Sequence, residues 1–177
     1  MIKIERHSDV KGLITNFFSA LEVEPAAHPF VYDHEMELML NQVGRELFQD
    51  GVIRREDPGN IWGGSQGQKD YYANMVRQLY KDFSGEEYPC DVFTQWQSGR
   101  SLGEVHTAVM CAFLEWGYFF SDDWEAGHKL SGLLQNRMAF PIEILNRDAC
   151  CDSLRGKKLE ERCGLTGNDL KKLSRKT

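Results

Sequence analysis

Four carboxylates stand where an acid could meet a ligand: Asp33, Glu104, Asp122 and Asp123. Asp33 follows the apolar run Phe30-Val31-Tyr32, and Asp122-Asp123 follow Tyr118-Phe119-Phe120-Ser121. Each therefore sits between an expected strand and an expected helix, and the carboxyl ends of strands in open α/β sheets are where such folds bind ligands. Glu104 falls in the first turn of the buried helix that lies between them. Acids gathered this way repel one another unless a cation lies among them, and hard divalent ions prefer oxygen ligands and keep exchangeable waters. Beside a phosphodiester, such ions activate a water and relieve charge on the phosphate. Each acid also has a plainer reading. Ser101-Leu102-Gly103-Glu104 spells a capping box, and Asp33, Asp122 and Asp123 suit the N-terminal ends of the helices that follow them. His106, two residues past Glu104, points away from it around the helix and reads as structural or surface.

The elements that must position these residues follow from periodicity. Val105, Ala108, Val109, Ala112, Phe113 and Trp116 form one apolar helical face, Gly117 suits a left-handed stop, and Tyr118-Phe119-Phe120 reads as a strand covered on both faces. Upstream, Val10, Leu13, Ile14, Phe17, Phe18 and Leu21 mark a helix capped by Ser8 or Asp9, after a lead-in strand at Ile2-Lys3-Ile4. A helix from His34 to about Gln49 and another from about Gln68 to Phe83 follow, separated by an irregular stretch over 50–67. Trp124 to Leu134 reads as a helix weakened by Gly127 and Gly132, Ile142-Glu143-Ile144-Leu145 as a strand, and 148–155 and 157–163 as short helices. Thr166-Gly167-Asn168-Asp169 caps a last one.

The chain has 177 residues, enough for one domain with a substantial core. Its net charge of −6 argues against a protein wrapped in nucleic acid, though not against a metal-dependent nuclease, whose clustered acids are offset by bound cations. No long uncharged apolar run and no secretory pattern occurs, so neither a membrane span nor export is expected. Five cysteines without a CxxC pair read as reduced thiols of a cytoplasmic protein.

The order of the motifs Phe30-Val31-Tyr32-Asp33, Ser101-Leu102-Gly103-Glu104 and Phe119-Phe120-Ser121-Asp122-Asp123, closed by Ile142-Glu143-Ile144-Leu145, resembles the PIN-domain family. The likeness spans about 29–150 and is close over 101–146. It implies a three-layer α/β/α arrangement around a central, mainly parallel sheet, to which the periodicity of this chain, read as a single α/β domain, adds a helical extension over 1–28 and a helical tail over 151–177. It also implies Mg²⁺- or Mn²⁺-dependent cleavage of RNA. Asp33, Glu104 and Asp123 would match the family's three main acids and hold the metal, with Asp122, ahead of Glu125, as a fourth catalytic acid. Arg100 and Arg147, with Lys69, are assigned to substrate phosphates. An antitoxin-like protein partner and a homodimer are both compatible with this reading. The chain departs from the family's pattern after its first acid, where His34-Glu35 stand in place of a hydroxyl residue and a small polar one.

Two alternatives belong to other classes. One is a catalytically inactive PIN-like binding or scaffolding protein, favoured if the acids fail to converge or if a lysine or arginine fills the metal position. The other is a metal-dependent small-molecule phosphatase; a GxSxG nucleophile elbow is absent, so acyl transfer is unsupported.

Overall fold

The computed structural model describes residues 7–36, 41–57, 64–93, 101–121, 123–155, 157 and 163–173. The expected lead-in strand at Ile2-Lys3-Ile4, most of the helix over 157–163, Arg100 and Asp122 lie outside them. In chain order the elements are α1 (His7–Leu21), β1 (Ala26–Ala27), a π-helical turn (Val31–Met36), α2 (Asn41–Gln49), β2 (Arg54–Arg55), α3 (Gln66–Ser84), α4 (Leu102–Phe113), β3 (Tyr118–Phe120), α5 (Trp124–Met138), β4 (Glu143–Leu145), α6 (Arg147–Leu154) and α7 (Gly167–Leu173). The chain is mixed α/β and mostly helical. Contacts divide it into a first unit (Met1–Ala26, Met36–Arg54, Asn146–Thr177) and a second (Ala27–Glu35, Arg55–Leu145). No helix among the described residues is long and apolar enough to cross a membrane.

In the first unit α1 packs on α2 and α6, and α6 packs on α7. Phe17, Leu47, Leu154, Leu165 and Leu170 are buried there, as are the thiols of Cys150 and Cys151. Local chemistry starts its helices. Asn146 Oδ1 accepts from the Ala149 N–H at 2.8 Å at the head of α6. Thr166 and Asp169 cap α7 reciprocally, as their spacing predicts, each side chain accepting from the other's backbone N–H at 3.2 and 3.0 Å.

The second unit is built on α3, α4 and α5, which all pack on one another. Ser65 and Gln68 form a full capping box at the start of α3, and Gly85, at φ 79°, ends it with its N–H on Lys81 O at 2.8 Å. Tyr72, Val76 and Leu79 of α3 meet Leu102, Val105, Ala108 and Val109 of α4, all fully or almost fully buried. Then β3, α5 and β4 make a parallel crossover, with Tyr118 opposite Glu143, Phe119 opposite Ile144 and Phe120 opposite Leu145. Gly127 lets α5 lie against that ribbon, since a Cβ there would come within 2.9 Å of Ile144 Cγ2.

Four expectations need correction. Phe30-Val31-Tyr32 is helical rather than a strand: Pro29 occupies a first helical position, the His28 ring accepts from the Phe30 N–H at 2.9 Å, and the Tyr32 N–H reaches His28 O at 2.9 Å. Gly117 is not the left-handed stop of α4. Glu115, at φ 57°, takes that place, with the Trp116 N–H on Cys111 O at 2.8 Å and the Glu115 N–H on Ala112 O at 3.4 Å, the paired bonds of a Schellman end. Ser101 is itself left-handed, at φ 63°, and its side chain caps nothing, so the box with Glu104 does not form. Finally, β3 is covered on one face only. Its sole described strand neighbour is β4, and Phe119 is buried while Tyr118 and Phe120 are exposed. The strands among the described residues make two two-stranded sheets.

Candidate functional site

The acids can now be placed. Asp33 lies in the π-helical turn, and Arg55 grips both of its carboxylate oxygens, Nη2 to Oδ2 at 2.9 Å and Nε to Oδ1 at 3.4 Å. The same guanidinium carbon lies 5.8 Å from the centre of the Tyr32 ring. Asp123 caps α5, its Oδ1 accepting from the Ala126 N–H at 3.0 Å, and its own N–H donates to Ser121 Oγ at 3.1 Å. Glu104 is half-buried in the first turn of α4, and Glu125 is exposed in the first turn of α5. Lys69 is half-buried near the start of α3. Arg147 opens α6 in the first unit, half-buried. Among the described residues no three His, Cys, Asp or Glu side chains come close enough to hold a metal ion. Asp33, Glu104 and Asp123 are therefore not gathered into one group. As arranged, the Arg55 guanidinium occupies the Asp33 carboxylate and the head of α5 uses that of Asp123.

The structure brings together instead a pair of histidines that periodicity alone did not single out. His28 and His106 are both fully buried, and their rings stack at 4.6 Å between centroids. Phe30 lies on His106 at 5.0 Å. Because His28 Nδ1 accepts from the Phe30 N–H, its proton sits on Nε2, which donates to Tyr72 Oη at 2.8 Å. His106 Nε2 meets Tyr88 Oη at 2.8 Å, and its buried Nδ1 has no hydrogen-bond partner among the described residues. Burial pushes His106 down to about 3, and burial with the neighbouring ring holds His28 well below the ordinary imidazole range. Both rings are thus neutral at pH 7 and act as packed, hydrogen-bonded spacers. A sequence signal for His106 exists in its i, i+4 spacing with Leu102 and Met110, both buried.

A third assembly lies on the open side of β3 and β4. Tyr118, 61% exposed, and Phe120, 44% exposed, share the open face of β3, and Trp124, 48% exposed, opens α5. Beside that face, at the amino ends of the two strands, is a cleft of about 650 Å³ lined by Tyr118, Glu143, His128, Ser131, Gly132 and Gln135 among others. Its walls are held in place. Ser131 Oγ donates to Ile142 O at 2.7 Å, tying α5 to the approach of β4, and Trp124 meets the His128 ring edge-on at 3.9 Å. The bases of α5 point elsewhere: Lys129 donates to Phe83 O and lies 4.7 Å over that ring, and Arg137 pairs with Asp82 at 2.9 Å. Glu143 is the one carboxylate among the described lining residues. Aromatic side chains left in water beside a concave surface are an arrangement suited to holding a partner.

Compared with known proteins, the chain matches no protein-family model, no curated protein and no solved structure.

Proposed function

We propose that this chain works by binding a partner through the open face of β3 and β4, without a hydrolytic step of its own. The observation that carries the reading is the exposed pair Tyr118 and Phe120 on the open face of β3, beside the cleft that Tyr118 and Glu143 help to line. The Arg55–Asp33 fork supports it too, since a cation of the chain itself occupies the acid on which a metal site would begin. The test is an array of short peptides probed with purified protein and with a Tyr118→Ala/Phe120→Ala double variant. Binding that the double variant loses, together with no Mn²⁺-dependent cleavage of a fluorogenic RNA, is the expected result.

A second reading is the metal-dependent ribonuclease of a PIN-like three-layer α/β/α fold, cleaving RNA phosphodiesters with Mg²⁺ or Mn²⁺. One observation favours it: the parallel β3–α5–β4 crossover leaves Asp123 just past the carboxyl end of β3, where α/β folds collect ligands. In this reading Asp33, Glu104, Asp122 and Asp123 regroup when substrate and metal arrive. Mn²⁺-dependent RNA cleavage that is lost in Asp123→Asn would put this reading first.

A further inference from the structure

We infer that residues 27–35 form an acid-released strap, latched by His28, whose ring must stay an acceptor toward the Phe30 N–H for the strap to remain on α3 and α4. The inference stands apart from the binding reading above and does not depend on it.

The strap enters the second unit alone, since the chain on either side of it belongs to the first. Pro29 starts a helical turn that runs on into Val31–Met36, and His28 closes its head. The ring's Nδ1 accepts from the Phe30 N–H at 2.9 Å, while His28 O accepts from the Tyr32 N–H at 2.9 Å. On its other side Nε2 donates to Tyr72 Oη of α3 at 2.8 Å. A neutral imidazole offers one acceptor and one donor, and both are in use here. An imidazolium offers two donors and no acceptor, so protonation sets an N–H against the Phe30 N–H and uncaps the turn. Buried among rings, that charge is also costly where it stands. Arg55 from β2 and His106 from α4 both oppose a positive charge at this ring. The other titratable groups nearby act on the tyrosines: Asp57, Cys111 and Tyr88 on Tyr72, and Cys90 and Asp91 on Tyr88. Asp33, an acid of the strap itself, is held by Arg55 in a half-exposed fork that adds little.

The helices do not need the strap. Val76, Leu79, Val105, Val109, Leu130 and Leu134 are buried to within 1% among α3, α4 and α5. Releasing the strap solvates the imidazolium and bares Phe30, Tyr72 and a face of His106, all buried when it is closed. Acid thus uncovers an aromatic surface while the helices stay packed. The open ring takes the proton that the closed ring cannot, so opening rises as pH falls through about 6.5 and is flat above it.

The experiment is hydrogen exchange of the whole chain, read by mass spectrometry at about pH 7.5 and about pH 5, with rates corrected for the intrinsic pH dependence of amides. The amides of Phe30 and Tyr32, both bonded to His28, report the strap, and those of Leu130 to Leu134 report α5. Strap protection should fall at least about thirtyfold between the two pH values, the factor for one imidazole freed to titrate near about 6.5. At about pH 5 the strap should exchange at least about tenfold faster than α5, and about 1 M urea should speed α5 alone, because a local opening exposes little surface. His28→Asn keeps an oxygen that can accept from the Phe30 N–H but takes up no proton, and should shrink the fall at least about tenfold. His128→Gln, which removes an exposed histidine of α5, should leave it unchanged. Strap and α5 amides that exchange at one corrected rate overturn the inference, because acid then acts only through global unfolding. Unchanged protection at about pH 5 overturns it, as does a fall that persists in His28→Asn or that His128→Gln removes. If His28→Asn does not fold, the wild-type comparison of strap and α5 across pH and urea decides.

Discussion

Tyr118 and Glu143 stand side by side in the parallel register of β3 and β4, and both project away from the core that Phe119 and Ile144 close on the other face. Neither side chain is needed to hold the fold. Tyr118→Leu and Glu143→Gln should each change stability by less than about 0.5 kcal/mol, as surface substitutions usually do. Urea unfolding of the two variants checks this and separates loss of binding from loss of structure.

The stacked histidines make the second unit acid-sensitive. In the fold His28 and His106 are neutral, with His106 held down to about 3, whereas in the unfolded chain both titrate near about 6.5. Below that pH the unfolded state binds more protons, so stability falls as pH falls, by up to about 1.4 kcal/mol per unit for each ring. Above about pH 6.5 this contribution is flat. His106→Phe keeps a ring in the stack and should remove about half of the slope between about pH 6 and pH 5, measured by urea midpoints across that range.

Two glycines of α5 should respond in opposite directions to the same change. Gly132→Ala should stabilise by about 0.5–1 kcal/mol, because an exposed helical site gains propensity and its Cβ meets nothing. Gly127→Ala should destabilise by about 1 kcal/mol despite the same gain, because its Cβ would press on Ile144 Cγ2 at 2.9 Å. Thermal midpoints of the two single variants decide it.

Two helix ends are closed by residues that dislike the left-handed region. Glu115 at φ 57° ends α4, and Ala139 at φ 51° ends α5 with its N–H bonded to Leu134 O. Glu115→Gly and Ala139→Gly should each raise stability by about 1 kcal/mol. Ala139→Val, by contrast, should lower it, and denaturant midpoints report both signs.

The Arg55–Asp33 fork is half-exposed, so it should contribute little to stability. A double-mutant cycle with Arg55→Ala and Asp33→Asn should give a coupling below about 1 kcal/mol. The same variants address the metal. Under the binding reading, millimolar Mn²⁺ leaves the unfolding midpoint of wild type and Arg55→Ala unchanged. A rise in Arg55→Ala that Asp33→Asn abolishes would instead show the guanidinium standing in for a cation.

Much of the helical framework was legible. Periodicity found α1, α3 and α4, and the buried face of Val105, Ala108 and Val109 follows directly from 3.6-residue spacing. The strand at 118–120, its partner at 143–145 and the reciprocal cap at Thr166 and Asp169 were legible too. The run Phe30-Val31-Tyr32 misled because three apolar residues fit a strand and a helix equally well, and the deciding interaction is the His28 ring capping the turn. Tyr118 and Phe120 misled for a different reason. An unbroken apolar run suggests burial on both faces, and no alternation of residue type marks the face that is left exposed. Asp123 stands between β3 and α5 and Glu104 in the first turn of α4, as expected, but Asp33 lies within a helical turn, and spacing along the chain does not report that it meets Arg55.

The cysteines are divided between the two units. Cys111, in α4, is buried with its thiol on Tyr118 O at 3.5 Å and pushed up to about 12, while Cys151, in α6, is buried and pushed up to about 11. Thiolates are the species that alkylate, so at neutral pH iodoacetamide should consume the half-buried Cys90 and Cys163 first and reach the others only when their helices open. Each unit therefore carries its own clock. The rate at which Cys111 is modified times the opening of the second unit, the rate at Cys151 times that of the first, and their ratio tells whether the chain unfolds in one step or two.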